Sequence, residues 1–345
     1  MPAAHDPGDI DLDSAGQRLR GRVHATPLLH SSSLDRQAGA RLWLKAESFQ
    51  RSGSFKARGA FNALLAGLEA GDRRGVLAVS SGNHGQAVAL AASELGLPAT
   101  VVMPQGASPV KISAVRSYGA TVVTDGVTGE NREEVARNLA AELDLRLVHP
   151  HDDPWVIAGQ STVATELVAQ AQRAGLSPGP VLVPVGGGGL LAGVCLALER
   201  AWPGAVVIGV EPALGDDAKR SLESGRLVTL DRTPETVADG ARTLRLGGLC
   251  WEVIRRRVQR IVTVTDVEIA EACWWLWSRC KLVVEPTGAL TVAAALRAGR
   301  DRASLGLAAA PGDAGDLVCI LSGGNCTPAQ IADLVSTTSR AAALS

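Results

Sequence analysis

The sequence predicts an α/β protein with mainly parallel sheets. Two observations point to this fold class. From Gly75 onward, short apolar runs typical of strands alternate with helical runs, an order that indicates βαβ units. Several of these strands also end in turns of glycine, serine and asparagine that lead into a helix, where parallel sheets commonly bind ligands. The chain has 345 residues, 46% of them hydrophobic, which is enough for about two domains.

The N-terminal part is predicted to supply one or two helices, an extended segment at residues 26–29 and a strand at residues 41–46. A polar loop rich in glycine and serine follows and leads into a helix at residues 57–68, so Lys56 lies at the helix start. Lysine is scarce: the 34 basic residues include five lysines, which are Lys45, Lys56, Lys111, Lys219 and Lys281. Unlike a guanidinium, a lysine amine can lose its proton and react with a carbonyl group. Lys56 is therefore a candidate for covalent chemistry, the alternative being a solvated lysine at a helix start.

A regular alternation follows the Lys56 helix. Strands are predicted at residues 76–80, 100–103, 121–124 and 145–149, and helices at residues 86–95, 109–118 and 132–143. Such short helical connections favour a parallel sheet, which we assign to a small domain at residues 75–148. Its first turn contains Ser80, Ser81, Gly82, Asn83 and His84. Small residues at a helix N-terminus suit a carboxylate ligand.

The remaining residues, 1–74 and 149–345, are predicted to form a larger, discontinuous domain. A strand at residues 181–185 leads into Gly186, Gly187, Gly188 and Gly189, and a helix follows at residues 190–201. Four glycines leave the backbone amides free to surround an anion at a helix N-terminus, and phosphate suits that position. The spacing differs from the dinucleotide and mononucleotide loops, and a purely structural turn is the alternative. Further strands are predicted at residues 206–210, 261–264 and 317–321, with a helix after a capping box of Thr265 and Glu268.

The composition argues against several classes of protein. The formal net charge is −1, so there is no basic excess for a nucleic acid or a membrane surface. No apolar run reaches the roughly 18 residues of a membrane-spanning helix. We find no pattern typical of a signal peptide, and the six cysteines show no paired spacing. We therefore expect a cytoplasmic protein with reduced thiols.

Five motifs resemble those of one enzyme family and occur in its order. They are Gly53-Ser54-Phe55-Lys56-x-Arg58-Gly59-Ala60, Ser81-Gly82-Asn83-His84, Ile157-Ala158-Gly159-Gln160, Pro184-Val185-Gly186-Gly187-Gly188-Gly189 and Ser322-Gly323-Gly324-Asn325. Across residues 26–325 the chain resembles the fold-type II pyridoxal-phosphate enzymes of the threonine/serine dehydratase and serine racemase family. The resemblance implies the tryptophan synthase β-like fold, with two doubly wound α/β domains and the active site between them. It also implies pyridoxal 5′-phosphate as cofactor, an amino acid substrate and a homodimer.

The resemblance also assigns roles to individual residues. Lys56 would hold the cofactor aldehyde covalently and later remove the α-proton of the substrate, and Phe55 would lie behind the cofactor ring. Asn83 would bind the 3′-oxygen, the four glycines the phosphate, and Ser322 the pyridine nitrogen. Ser80, Ser81, Gly82, Asn83 and His84 would surround the substrate carboxylate, although His84 could equally be a core or capping histidine. The implied reaction is elimination of water from serine or threonine, after which the released enamine tautomerises and hydrolyses to a 2-oxo acid and ammonia.

An acidic segment follows the strand at residues 206–210. Glu211, Asp216 and Asp217 offer carboxylate oxygens of the kind that hard cations prefer. In the racemase-like branch of the family, the positions of Glu211, the Gly215 carbonyl and Asp217 hold magnesium or manganese. The alternative is an ordinary acidic helix start.

A racemase with dehydratase side activity, acting on serine or hydroxyaspartate, is the alternative function. Racemisation needs a second acid/base group opposite the lysine, and Ser81 matches the serine that has this role in serine racemases. Arg132 matches an arginine near the active-site entrance in that branch, or it is a surface residue. The chain departs from the usual family residues at His151 and Ser161, which we expect to border the substrate pocket. His151 could contact a polar or acidic β-substituent, or it could cap the helix that follows.

Overall fold

The computed structural model of the protein describes residues 10–80, 82–177, 179–306 and 316–342. Ser81 therefore lies outside the described residues. In this part of the chain, two sheets are surrounded by helices, and no helix is both long and apolar enough to cross a membrane.

The larger sheet has six strands in the order β1-β2-β10-β7-β8-β9, all parallel except β1, which pairs antiparallel with β2. The strands are β1 Leu28–His30, β2 Arg41–Ala46, β7 Pro180–Pro184, β8 Val206–Pro212, β9 Arg260–Val264 and β10 Asp316–Leu321. The inner strands are apolar and almost wholly buried, as expected for a parallel sheet covered on both faces.

The smaller sheet has four parallel strands in the order β5-β4-β3-β6. They are β3 Val76–Val79, β4 Ala99–Val102, β5 Thr121–Val123 and β6 Arg146–Leu147. β6 is shorter than predicted because the chain leaves the sheet to form a turn, in which His149 Nδ1 accepts the amide of Asp152 at 2.7 Å. The limits that we assigned to the two domains stay a prediction.

Thirteen α-helices lie in the described residues. The first seven are α1 Leu12–Leu19, α2 Ser32–Ala38, α3 Lys56–Glu69, α4 Asn83–Leu95, α5 Pro109–Ser117, α6 Arg132–Glu142 and α7 Pro154–Arg173. The others are α8 Gly189–Ala201, α9 Asp217–Ser224, α10 Gly248–Arg257, α11 Asp266–Ser278, α12 Pro286–Arg300 and α13 Pro328–Ala342. The predicted capping box of α11 is confirmed, with Thr265 and Glu268 each accepting the other's backbone amide.

Three hydrophobic clusters make up most of the core. Two of them cover opposite faces of the larger sheet: α7, α8 and α10 pack on one face, and α2, α11 and α12 on the other. The third joins α3 and α4 to the smaller sheet. Because α3 begins at Lys56 and packs against both α4 and α7, the lysine lies where the two sheets meet.

Candidate active site

Four loops converge at the carboxyl ends of the strands. The lysine loop meets the turn after β10 where the Phe55 amide donates to the Ser322 carbonyl at 3.0 Å. The turn after β3 joins them through Asn325, whose Nδ2 donates to Asn83 Oδ1 at 2.8 Å and to the Ser52 carbonyl at 2.7 Å. The turn after β7 is the fourth. Ligands of parallel α/β sheets bind at this edge.

Lys56 lies half-buried at the centre of this site. Its Nζ donates to the Pro150 carbonyl at 2.6 Å and lies 5.1 Å from the centre of the Phe55 ring. Burial lowers the pKa of Lys56 from 10.5 to about 8, because no carboxylate pairs with the ammonium among the described residues. Near neutral pH the structure thus holds a lysine amine that deprotonates readily.

The glycine turn, residues 186–189, leaves its backbone amides without partners. Among the described residues, no hydrogen bond has the amide of Gly186, Gly187 or Gly188 as donor, and no side chain caps α8. Gly187 and Gly188 are buried, and Gly188 has a φ of 93°. Unpaired buried amides at a helix N-terminus are unfavourable unless an anion accepts from them. The turn therefore fits a phosphate group.

His151 and Asp152 hold the glycine turn from behind. The His151 ring fills the space that a side chain at Gly187 would need. Asp152 accepts the amides of Gly248 and Leu249 at 2.9 and 2.8 Å, which caps α10, and the Gly247 amide donates to the Gly187 carbonyl at 3.0 Å. Burial lowers the pKa of His151 well below its usual value, so the ring is neutral. The helix after His151 is capped by Asp153 instead, whose Oδ1 accepts the Val156 amide at 2.9 Å.

Asn83 is held by a buried carboxylate that the sequence analysis did not single out. Asn83 Nδ2 donates to Glu285 Oε1 at 2.6 Å. Burial, reinforced by the Asp239 carboxylate, raises the pKa of Glu285 to about 8. Asp239 in turn accepts from Lys111 Nζ, on α5, at 2.5 Å. Glu285 directly precedes α12, and its contact with Asn83 spans 202 positions, so the sequence alone does not reveal it.

The first turn of α4 faces open space. A side chain at Gly82 would meet no atom within 4 Å, and α4 has no side-chain cap. Ser80 Oγ accepts the Gly82 amide at 3.1 Å. The His84 side chain points into the core, where Nε2 donates to the Val148 carbonyl at 2.8 Å and burial lowers its pKa to about 3. The helix N-terminus itself is thus open to a carboxylate, and His84 can reach it only through its backbone.

Ser322 lies at the end of β10, 3% exposed. Its hydroxyl makes no hydrogen bond to the described residues, and its carbonyl accepts the Phe55 amide. The site therefore contains a free hydroxyl, a reactive lysine and an amide-lined turn, all on connected loops. This donor set suits a cofactor that carries an aldehyde, a ring nitrogen and a phosphate.

Behind Lys56 lies a buried ionic network that the sequence did not reveal. Arg58 donates to Glu47 Oε2 and Glu166 Oε1, each at 2.8 Å, while Lys45 Nζ donates to Glu166 Oε2 at 2.9 Å. Lys45, Glu47 and Arg58 are 0% exposed. Burial alone would lower the pKa of Arg58, but the two glutamates raise it. The network fixes the first turn of α3, which begins at Lys56.

The acidic segment after β8 is also buried. Glu211 is 2% exposed and accepts the amides of Ala218 and Lys219 at 3.2 and 2.8 Å. Asp217, also 2% exposed, has a buried Oδ2 without a partner. Burial, reinforced by the Asp216 carboxylate, raises the pKa of Asp217 to about 7, and burial and Asp217 raise that of Glu211. Within the described residues no three acidic, histidine or cysteine side chains form a metal cluster, so a carbonyl oxygen would have to complete any such site.

Two further predicted residues occupy different surroundings. Ser161 is 1% exposed, donates to the Ala158 carbonyl at 2.6 Å, and packs against Gly193 in the contact between α7 and α8. Arg132 begins α6, is half-buried, and makes no hydrogen bond or ion pair to the described residues.

Comparisons with known proteins identify the family of this chain. Residues 19–323 match the family described as pyridoxal-phosphate dependent enzyme. The chain is 45% identical to an L-threo-3-hydroxyaspartate ammonia-lyase of Pseudomonas sp, over 82% of this chain and 88% of the relative. It is 41% identical to a serine racemase of Schizosaccharomyces pombe, over 83% of this chain and 87% of the relative.

A solved structure described as a threonine deaminase of T.th. is 51% identical, with a TM-score of 0.85 over 92% of this chain and 97% of that one. These findings confirm the predicted family and fold class. The relatives include both ammonia-lyases and racemases. The chain belongs to the pyridoxal-phosphate-dependent enzymes of fold type II.

Proposed function

We propose that the protein is an ammonia-lyase that removes water from a β-hydroxy amino acid, with threonine and serine as its first candidate substrates. The released enamine tautomerises, and its hydrolysis by one water gives a 2-oxo acid and ammonia. The observation that carries this proposal is Lys56, a half-buried lysine whose pKa is lowered to about 8 beside a turn of unpaired amides. A base with a pKa near the working pH is the most effective proton acceptor. The relatives described as threonine deaminase and hydroxyaspartate ammonia-lyase support a reaction of this class.

The glycine turn, Ser322, Asn83 and Phe55 would hold the cofactor. When bound, pyridoxal phosphate supplies an aldehyde that takes up an amine and a ring that stabilises negative charge at the α-carbon. The unpaired amides of the glycine turn would take the phosphate, and the Ser322 hydroxyl would face the ring nitrogen. Asn83 Nδ2 has two hydrogens and gives one to Glu285, which leaves one for the 3′-oxygen. Phe55 would lie behind the ring.

Lys56 Nζ would take the α-proton of the substrate. The open N-terminus of α4, at Gly82, Asn83 and His84, would bind the substrate carboxylate through backbone amides, with Ser80 and Ser81 beside it. A neutral hydroxyl at Ser322 does not enforce protonation of the ring nitrogen. With the cofactor bound, charge at the α-carbon would then be less well stabilised on the ring, which would favour departure of the β-hydroxyl group.

A second candidate is racemisation of serine or hydroxyaspartate, supported by the relative described as serine racemase. It needs a proton donor on the face opposite Lys56, and Ser81 is the residue that we propose for it. Arg132, half-buried and without an ionic partner among the described residues, is a candidate for the entrance to the site.

His151 is the residue that we propose as the contact for the β-substituent of the substrate. His151 lies against the glycine turn with a neutral ring, so it could donate a hydrogen bond to a polar β-group rather than pair with a charge. We propose hydroxyaspartate as the substrate to compare with threonine and serine. A His151→Ala variant that loses turnover of hydroxyaspartate more than of threonine would support this contact. An equal loss of turnover for hydroxyaspartate, threonine and serine would assign His151 to cofactor binding alone.

Magnesium or manganese would bind at Glu211, Asp217 and the carbonyl of Gly215. The residues fit a hard cation, because two buried carboxylates lie together and Asp217 Oδ2 has no partner. A bound cation would remove the repulsion that raises both pKa values.

We also propose a homodimer in the cytoplasm. Phe49 and Val283 are large apolar side chains that are 52% and 55% exposed. They lie on neighbouring segments, because Gly324 packs between Ser48 and Val283. Such a patch beside the lysine loop suits a second copy of the chain. A Phe49→Glu variant should be monomeric by light scattering, and an unchanged mass would reject this surface.

One assay tests the main proposal. Purified holoenzyme would receive L-threonine, L-serine or L-threo-3-hydroxyaspartate, with and without magnesium, while oxo acid and the enantiomer of the remaining amino acid are measured. Oxo acid without the opposite enantiomer would establish an ammonia-lyase alone. The opposite enantiomer, lost in Ser81→Ala while elimination continues, would establish a racemase. No oxo acid from any of the three would reject the proposed substrates.

A further inference from the structure

A cavity apart from the lysine site lies along β9, the strand at one edge of the larger sheet. Its volume is about 490 Å³, it is open to solvent, and it is lined by β9, α9, the end of α12 and Ser304 of a short 3-10 helix. No residue of the proposed lysine site lines it. Cavities of this size accommodate small metabolites.

Positive charge dominates the walls. Lys219, Arg260 and Arg297 line the cavity, whereas Glu223 is the one carboxylate that the described residues contribute to it. Lys219 and Glu223 form an exposed pair at 2.9 Å on neighbouring turns of α9, a kind of pair that is weak in water. Arg260 makes no ion pair with the described residues, and its guanidinium lies against Gly306. Arg297 also pairs with Glu268, which does not line the cavity, at 3.5 Å. The positive charge left without a carboxylate partner among the described residues is therefore that of Arg260.

Two donors in the wall lack acceptors. Arg297 Nη1 donates to the Thr263 carbonyl at 2.8 Å, but its Nε is buried without a partner, and so is the hydroxyl of Ser304. Buried donors normally find an acceptor, and each exception needs an explanation. A ligand that accepts hydrogen bonds at this position would satisfy both groups.

We propose that this cavity binds a small organic anion that carries phosphate or carboxylate groups. The planar guanidinium groups of Arg260 and Arg297 match such oxygens, and Ser304 adds a neutral donor. Leu222 and Ile261, which belong to the same face of the larger sheet, add apolar surface for the rest of the molecule. The bound anion would also hold α9 in place. This helix contacts the acidic segment, since the Lys219 amide donates to Glu211 Oε1 at 2.8 Å.

Binding can be tested without any assay of activity. Cofactor-loaded protein, in which the glycine turn is filled, would be titrated by calorimetry with inorganic pyrophosphate and separately with citrate, in the absence of divalent metal. We expect one site per chain for at least one probe. Tighter binding of pyrophosphate would indicate a phosphorylated ligand, and tighter binding of citrate a carboxylate ligand.

Three variants assign the site. Arg260→Ala and Arg297→Gln should each weaken binding by roughly tenfold or more, the loss expected for one charge-assisted hydrogen bond. Ser304→Ala should weaken it severalfold while leaving the melting temperature unchanged, since its hydroxyl has no partner in the protein. Arg256→Ala is the matched control, because Arg256 is an exposed arginine on α10 that does not line the cavity. Failure of both probes to bind, or equal binding by wild type, Arg260→Ala and Ser304→Ala, would overturn the proposal.

Discussion

Lys45 and Lys56 lie eleven positions apart in the sequence, but their surroundings differ: Lys45 is fully buried, whereas Lys56 is half-buried. Lys45 donates to Glu166, Gln170 and the Thr26 carbonyl at 2.8–3.0 Å. Lys56 has a carbonyl as its hydrogen-bond acceptor and no carboxylate beside it in the described structure. Burial lowers the pKa of both, but for Lys45 two glutamates oppose the shift.

This difference separates a structural charge from a reactive one. A buried ammonium that is paired and fully hydrogen-bonded stays charged and stabilises its partners, while an unpaired one gives up its proton more easily. The same contrast holds for the carboxylates. Glu47 pairs with Arg58, whereas Glu211 and Asp217 lie together and form no ion pair with the described residues. Charges are therefore paired in the network behind Lys56. They are unpaired at Lys56 itself and in the acidic segment, where a bound ligand or cation would supply the missing charge.

Removing the reactive amine should have the largest effect. Lys56→Ala is expected to lower kcat by roughly 10³-fold or more, since it removes both the covalent attachment point and the proton acceptor. The absorbance of lysine-bound cofactor should disappear, while circular dichroism stays unchanged. Lys281→Arg, at an exposed lysine, is the control and should keep full activity. Substantial turnover by Lys56→Ala would show that another residue takes the α-proton.

Removing the paired lysine should affect stability instead. Lys45→Met leaves Glu166 with one cation fewer and should cost roughly 3 kcal/mol of unfolding free energy, as for a broken buried pair. Urea denaturation would measure it. The Lys45→Met variant should still bind the cofactor, and it should turn over substrate far faster than Lys56→Ala. Full stability with lost activity would reverse the roles that we assign to the two lysines.

The pH dependence of cofactor uptake tests the lowered pKa of Lys56. Only a neutral amine attacks an aldehyde, so the rate of uptake by cofactor-free protein should rise through about pH 8 rather than 10.5. The free energy of unfolding should also rise with pH. The cost of burying the ammonium is fully present below pH 8 and is relieved as the pH rises from 8 to 10.5. Stopped-flow absorbance would measure uptake, and a midpoint near that of a free amine, about 10, would indicate a solvated lysine.

Removing one of the two unpaired carboxylates, that of Asp217, should have the smallest effect, a small change in stability. A carboxyl whose pKa rises from 3.8 to about 7 on folding destabilises metal-free protein increasingly as the pH rises between these values. Asp217→Asn should therefore raise the melting temperature of chelator-treated protein by roughly 2 °C or more at about pH 7. Added magnesium should stabilise wild type and leave Asp217→Asn unchanged. Equal stabilisation of both proteins would place the metal elsewhere.

The sequence alone determined the family, the α/β architecture and most helix and strand positions. β2 occupies the predicted residues 41–46, and α8 begins at Gly189, one position before its predicted start. These features are local: apolar runs, glycines that free the backbone, a capping box and a lysine in a serine-rich loop each depend on neighbouring residues. The antiparallel strand β1 was seen only as an extended segment, because its three residues gain strand character from pairing with β2.

Only the tertiary structure decided which charged residues have partners. Arg58 meets Glu166 across 108 positions, Asn83 meets Glu285 across 202, and Asp152 caps α10 across 96. A pKa depends on burial and on charges within a few ångströms, and sequence distance says nothing about either. The sequence could therefore name Lys56 by its motif, but the fold made it reactive by burying it away from the glutamates that neutralise Lys45.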